Sequence, residues 1–286
     1  LLAQEHQQRI IRRTLGNWFQ KEHVRQSKHQ KVWAHWKRCK RMKMPNISSY
    51  LGVSLKAEHV FEILNLKPAL GWFEVHTENY MNAGGPNHHY LSKVNADYDL
   101  SFHGVGLSIG STEGIDGDHL ARVRQTIDRY QPFLTSEHMS WSSFHGQYMA
   151  DLLPVRYDAD VLKSMVDQIN RVQDSLKRPI LIENPSQYLQ GATSEYSEPA
   201  FMNELVKRSG CGILLDVNNV YVSASNLGFD ASDYLAELDV GPVGEIHLAG
   251  HATKEFEGET ILIDDHGDRV CPAVWDLYDS VIARTK

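Results

Sequence analysis

Short apolar runs alternate with longer amphipathic stretches along most of the chain. Helices are predicted where apolar residues recur every three or four positions, as in Asp118–Tyr130 and Ala159–Leu176. Strands that alternate with such helices are typical of a parallel sheet built from repeated βα units. Seven apolar runs are predicted as strands: Gly52–Leu55, Gly71–Val75, Leu100–His103, Phe133–Ser136, Ile180–Glu183, Gly212–Asp216 and Gly244–Leu248.

Length and composition fit one large α/β domain. The chain has 286 residues, of which 42% are hydrophobic and 23% charged, and a single β/α barrel needs roughly 250 residues. We therefore expect a TIM-type (β/α)8 barrel over residues 46–286. No apolar run approaches the ~20 residues that span a bilayer, and no secretory signal is evident, so we expect a cytoplasmic protein without a membrane partner.

The first 45 residues differ in charge from the rest of the chain. They carry 12 Lys and Arg against 2 Glu, whereas the remainder carries 17 basic against 34 acidic residues. A basic segment with interleaved tryptophans is compatible with nucleic-acid binding. We do not expect that function, because the segment begins with Leu1 and because Met44 directly precedes Pro45 and the first predicted strand. Residues 1–45 are expected to lie outside the fold, with Met44 as the natural start.

Residues able to bind metal ions lie at the ends of six predicted strands. Because the carboxyl ends of barrel strands share one face, we expect these side chains to converge. A lone histidine at such a position is more often structural, but crowded carboxylates and imidazoles cost several kcal/mol each unless cations pair with them. The strand-end residues are Glu74 and His76, His103, Glu137 and His138, Glu183 and Asn184, Asp216 and Asn219, and Glu245 and His247.

Further candidate ligands follow the seventh predicted strand. Asp264 and His266 can reach one ion from an extended segment, and His251 lies four residues after His247. The three cysteines, Cys39, Cys211 and Cys271, are far apart and indicate neither a disulfide nor a thiolate site. Imidazole, carboxylate and amide ligands suit iron, manganese or zinc, so both oxygen-activating iron and hydrolytic zinc remain open.

The same segments resemble the multinuclear non-haem iron-dependent oxidase family. The resemblance implies a TIM barrel with two or three iron ions, Fe2+ or Fe3+, and dioxygen as co-substrate. It implies modification of cysteine residues in a ribosomally made precursor peptide, with a helper protein that recruits the peptide. The matching stretches are Phe73–Tyr80, Phe102–Ser108, Ser136–His138, Leu181–Ser186, Leu214–Tyr221, Glu245–His251 and Ile263–Gly267.

The resemblance also implies a set of site residues. Glu183 is expected to bridge two metal ions, and Glu183 and His247 are expected to be catalytic. A ferrous ion would bind the substrate thiolate, and an open iron position would bind dioxygen. The ligands implied by the motifs are His76, His103, Glu183, Asp216, Asn219, His247, Asp264 and His266, with Glu137, Asn184 and His251 as further candidates.

Two other functions remain as alternatives. The Asp264-x-His266 and Asp216-x-x-Asn219 spacings also resemble tri-zinc endonuclease and sugar-isomerase barrels, so a divalent-metal hydrolase or isomerase is the second hypothesis. A non-catalytic metal-binding protein is the third. Family members continue into an eighth strand that ends in glutamate, whereas this chain stops at Lys286 after the predicted helix Ala273–Ala283. We therefore expect a barrel that lacks its eighth strand.

Overall fold

The structure is a computed structural model that describes residues 50–189, 194–256 and 258–285. Seven strands of the described residues form one parallel sheet in the order β1-β2-β3-β4-β7-β8-β9, with β1 and β9 at its edges. All seven predicted strands are confirmed, with no end shifted by more than two residues. The sheet strands are β1 Gly52–Ser54, β2 Trp72–His76, β3 Asp99–His103, β4 Leu134–His138, β7 Leu181–Glu183, β8 Gly212–Asp216 and β9 Val243–His247.

Helices connect these strands. Several begin at a side chain that accepts hydrogen bonds from the first turn, as Asp158 does from the Val161 amide. The three predicted helices are confirmed, with ends shifted by at most one residue, and none of the described helices is long and apolar enough to cross a membrane. The helices are α1 Val60–Leu66, α2 Pro86–Asp97, α3 Gly117–Tyr130, α4 Ala159–Leu176, α5 Glu198–Ser209, α6 Val217–Leu227, α7 Ala231–Glu237 and α8 Pro272–Ile282.

The sheet is curled into a TIM-barrel-like half-barrel. Glu74 on β2 contacts His247 on β9, five strands further along the sheet, which requires a concave inner face. Alternation along each strand sends side chains such as Phe73 and Phe102 outward into the main hydrophobic core. The inner face carries a small apolar cluster near the strand starts, formed by Leu134, Leu181 and Leu214, and polar residues near the strand ends.

Two antiparallel hairpins extend the half-barrel at its carboxyl-end face. β5 Trp141–Phe144 pairs with β6 Gln147–Leu153, and β10 Ala252–Phe256 pairs with β11 Glu259–Ile263. They follow β4 and β9, so each begins beside the polar strand ends. The sequence pattern did not predict either hairpin. Residues 1–49 lie outside the described residues, so the expectation about the basic extension remains a prediction.

Candidate metal centre

Strand register brings the polar strand ends together on the inner face. His76 pairs with His103 between β2 and β3, and His138 pairs with Glu183 between β4 and β7. Asp216 pairs with His247 between β8 and β9 in the same way. Paired residues of adjacent parallel strands project to the same face, so the convergence follows from the alternation of each strand.

His103, His138 and Glu183 form one buried group. The Nε2 atoms of His103 and His138 lie 3.0 and 3.1 Å from Glu183 Oε2, and 3.2 Å from each other. His138 Nδ1 lies 3.0 Å from the Gly104 carbonyl oxygen, to which it donates, and His103 Nδ1 lies 2.8 Å from Ser136 Oγ. These outer contacts hold both rings so that Nε2 faces the Glu183 carboxylate, as is usual for metal-binding histidines.

A second group shares Glu183. His247 Nδ1 lies 3.4 Å from Glu183 Oε1 and 3.7 Å from Asp216 Oδ2. Asp216 caps α6, because its Oδ1 accepts from the Asn219 amide at 2.7 Å, and this leaves Oδ2 buried without a hydrogen-bond partner. The Asn219 side chain donates to the Asn184 carbonyl at 3.0 Å, so its buried Oδ1 is also unpartnered. Both oxygens are therefore buried acceptors without a partner among the described residues.

Asp264 and His266 approach this second group from the segment after β11. His266 Nε2 lies 3.1 Å from Asp264 Oδ1 and 3.8 Å from Asp216 Oδ2. His266 has a φ of 51°, in the left-handed region that non-glycine residues seldom adopt. Such strain clusters at functional sites, where the surrounding structure maintains it.

The other predicted site residues lie outside these groups. Glu137 faces away from the inner face and accepts from the amides of Leu107 and His138 at 3.2 and 3.0 Å. His76 is exposed, with its ring centroid 6.1 Å from that of His103. Asn184 uses its side chain on the Asp216 backbone, donating to the carbonyl and accepting from the amide, both at 2.9 Å.

His251 contacts the cluster indirectly. Its Nδ1 lies 2.8 Å from Asn218 Oδ1, and Asn218 Nδ2 donates to Asp264 Oδ1 at 2.8 Å. His251 therefore supports Asp264 through Asn218. The ligand roles assigned from the sequence to all of these residues remain predictions.

Three residues of the cluster were named among the metal-binding strand ends but not in the ligand set implied by the motifs: His138, Glu74 and Glu245. Glu74 Oε2 lies 2.7 Å from His247 Nε2. Glu245 accepts from Ser101 Oγ at 3.1 Å through Oε2, while its buried Oε1 has no hydrogen-bond partner. The alternation of side chains along each strand is the sequence signal for the two glutamates. It puts Glu74 on the same face as His76, and Glu245 on the same face as His247.

The cluster has strongly coupled charges. Burial alone would raise the pKa of Glu183, but the rings of His138 and His103 hold this pKa well below its ordinary value. Burial opposes protonation of His138, yet Glu183 raises the pKa of His138 to about 9. Burial, and then the charge of Glu74, raises the pKa of Glu245 to about 8. Carboxylates therefore depend on nearby positive charge or on protons for neutralisation.

These donors fit a centre that holds more than one cation. Glu183 directs Oε2 at His103 and His138 and Oε1 at His247, so one carboxylate faces both groups. The unpartnered acceptors Asp216 Oδ2 and Asn219 Oδ1 are costly when buried unless something binds them. Mixed imidazole, carboxylate and amide ligands suit divalent transition metals.

The α/β fold and the buried His and Glu groups fit a metal enzyme with its centre inside a TIM-barrel-like sheet. The family model for the RiPP precursor modification enzymes MbnB/TglH/ChrH matches residues 50–286, and the chain belongs to this family. RiPPs are ribosomally synthesised and post-translationally modified peptides, so this is an enzyme of peptide modification.

Curated relatives match most of the chain. A UPF0276 protein of Psychromonas ingrahamii is 48% identical over 236 residues, which cover 82% of this chain and 83% of the relative. A UPF0276 protein of Bordetella pertussis is 48% identical over 242 residues, covering 84% of each chain. Among solved structures, endonuclease IV from Thermus thermophilus is 13% identical with a TM-score of 0.49, over 82% of this chain and 89% of that one.

Proposed function

We propose that this chain is a multinuclear non-haem iron-dependent oxidase that uses dioxygen to modify cysteine residues of a ribosomally synthesised precursor peptide. The observation that carries the proposal is the buried Glu183 carboxylate, which faces two ligand groups with its two oxygens. Family membership supports a peptide substrate. The donor set alone also suits hydrolytic zinc. Membership of a precursor-modifying family favours peptide modification over the hydrolase and isomerase alternatives.

Each ligand group would hold iron on one side of Glu183. His103 and His138 would bind on one side, and the larger set of Asp216, Asn219, His247, Asp264 and His266 on the other. Two or three iron ions, when bound, would supply redox chemistry and bring thiolate and dioxygen together. Glu183 would keep the two sides at a fixed separation, and His247 would direct Nδ1 at the space between Glu183 and Asp216.

The surroundings of the centre suit an extended peptide. The β5–β6 hairpin, which follows β4 in the chain, exposes Phe144, Tyr148 and Met149. The segment after β7 exposes Tyr188 and Leu189, and Tyr188 Oη accepts a hydrogen bond from the Asp264 amide at 3.0 Å. Exposed apolar side chains grouped near a site are typical of surfaces that bind other molecules. These residues would contact the precursor around its cysteine, and a helper protein would deliver the peptide.

The test is oxygen-dependent modification of a cysteine-containing precursor peptide. The chain is purified without oxygen, loaded with Fe2+, and incubated with a precursor encoded beside its gene, with and without the neighbouring helper protein. We expect at least two irons per chain, oxygen consumption, and a mass change confined to cysteine-containing fragments. Glu183→Gln should lose iron and activity, whereas Glu204→Gln, on the outer helix α5, should keep both. An equal mass change without oxygen would overturn the oxidase assignment.

A further inference from the structure

His247 has a neighbour at each ring nitrogen. On one side, Nε2 lies 2.7 Å from Glu74 Oε2. On the other side, Nδ1 lies 3.4 Å from Glu183 Oε1 and 3.7 Å from Asp216 Oδ2. Only the first distance is that of a short, charge-assisted hydrogen bond, because 3.4 Å is longer than an ordinary hydrogen bond and 3.7 Å is beyond hydrogen-bonding range.

A neutral imidazole carries one N–H and one lone pair, so these contacts select a tautomer. With a cation between Glu183 and Asp216, the Nε2 proton would be donated to Glu74 and the Nδ1 lone pair would be directed at the cation. Ligand atoms of Glu183, Asp216 and His247 lie within 4.8 Å of one another, and Asp216 Oδ2 is buried without a hydrogen-bond partner. A cation bound there would meet one oxygen of Glu183, one oxygen of Asp216 and the Nδ1 lone pair of His247.

We propose that Glu74 is a positioning residue that fixes the tautomer and ring orientation of His247, so that Nδ1 is the nitrogen that binds metal. This inference rests on the proposed metal centre. It assigns Glu74 a role outside the ligand set, as the carboxylate that receives the second N–H of a metal-binding histidine. Glu74 lies on β2 and His247 on β9, which are five strands apart in the sheet. Their contact therefore spans the concave face and holds the His247 ring from the side opposite Glu183 and Asp216.

A competing arrangement is a separate cation site formed by Glu74, Glu245 and His247. Their ligand atoms lie within 4.8 Å of one another, and Glu245 Oε1 is buried without a hydrogen-bond partner. That site would need the lone pair on Nε2. The contacts favour the positioning role, because Nε2 is hydrogen-bonded to Glu74, whereas Glu245 Oε1 lies 4.0 Å away.

Two matched variants separate these arrangements. Glu74→Gln and Glu245→Gln are stripped of metal and titrated with Fe2+ without oxygen, in competition with a chromogenic chelator. We expect Glu74→Gln to keep the wild-type number of sites but to bind one equivalent about 10- to 100-fold more weakly. We expect Glu245→Gln to change affinity by less than about threefold, since Glu245 makes no hydrogen bond to His247.

Loss of one whole equivalent in both variants would overturn the inference in favour of a separate cation site. Wild-type affinity in Glu74→Gln would overturn it as well. Neither result needs peptide or oxygen, so failure of the proposed oxidase activity would be recognised separately.

A measurement without mutation covers the case in which Glu74→Gln does not fold. Long-range proton–nitrogen NMR of the Zn2+-loaded wild-type chain reports which ring nitrogen of His247 carries hydrogen. The inference requires the proton on Nε2. A proton on Nδ1 would refute it.

Discussion

Asp216→Asn should have opposite effects on the metal-free and the metal-loaded protein. The Asp216 side chain is 0% exposed, and its Oδ2 has no hydrogen-bond partner. Asparagine has the same shape and keeps the Oδ1 that accepts from the Asn219 amide at 2.7 Å. Burial raises the pKa of Asp216, which means that the fold disfavours its charged form, so we expect the metal-free variant to be more stable by about 1–2 kcal/mol.

With metal bound, the wild-type protein should be more stable than Asp216→Asn. A ligand present at about 100 times its dissociation constant stabilises the folded state by about 2.7 kcal/mol. For a domain of this size each kcal/mol shifts Tm by roughly 2–4 °C, so saturating metal should raise the wild-type Tm by roughly 5–11 °C. In Asp216→Asn this increase should almost vanish, because a charged ligand has become a weak neutral one.

The assay is thermal unfolding with and without Fe2+ under anaerobic conditions. Asp230→Asn is a matched control, because exposed Asp230 caps α7 by accepting from the Ser232 amide at 2.7 Å. This control should keep the full metal-dependent increase in Tm. The reasoning is refuted if Asp216→Asn is less stable than wild type without metal and still gains the full increase with metal.

Three further predictions follow from other parts of the structure. His138→Gln should lose bound iron, because His138 lies in the cluster beside His103. His88→Gln is the control: it removes a buried ring whose Nδ1 lies 2.6 Å from Tyr130 Oη, so it should lower stability but keep the iron. Equal iron content in the two variants would contradict this. Replacing exposed Phe144 and Met149 with serine should raise the KM for the precursor roughly tenfold without changing iron content, and an unchanged KM would exclude the hairpin from peptide binding. Burial raises the pKa of Glu198 from 4.5 to about 7. Because the folded pKa is the higher one, the stability due to this group is complete below pH 4.5 and falls by about 3 kcal/mol as the pH rises to about 7. Glu198→Gln should remove this decline in denaturant titrations across that range, and an unchanged slope would argue against it.

The fold was predictable wherever burial imposes a repeating pattern. Strands buried on both faces appear as apolar runs, and α3 and α4 show helical spacing, so both kinds of element could be predicted. The β5–β6 hairpin was missed because its residues are largely exposed and show no apolar alternation. Gly146 was the one sequence signal for its turn. His145 and Gly146 have φ values of 50° and 71°, and turns with two positive φ values favour a glycine.

The candidate site was predictable in outline and uncertain in detail. Because the carboxyl ends of barrel strands meet on one face, the sequence predicted that His103, Glu183 and Asp216 lie on the same face. Glu137 and His138 are neighbours in β4, so only one of them can face the inner side of the sheet. Leu134 lies on the inner side, and alternation from Leu134 puts His138, not Glu137, on the same side. The contact of Glu74 with His247 depends on how far the sheet curls, and local sequence does not encode that distance.

The most direct test of the account is iron-edge anomalous diffraction from anaerobic crystals of the Fe2+-loaded chain. The account predicts at least two iron peaks on the inner face. One should lie among His103, His138 and Glu183, and another among Glu183, Asp216 and His247. Iron found elsewhere, with no peak in contact with Glu183, would contradict the central claim.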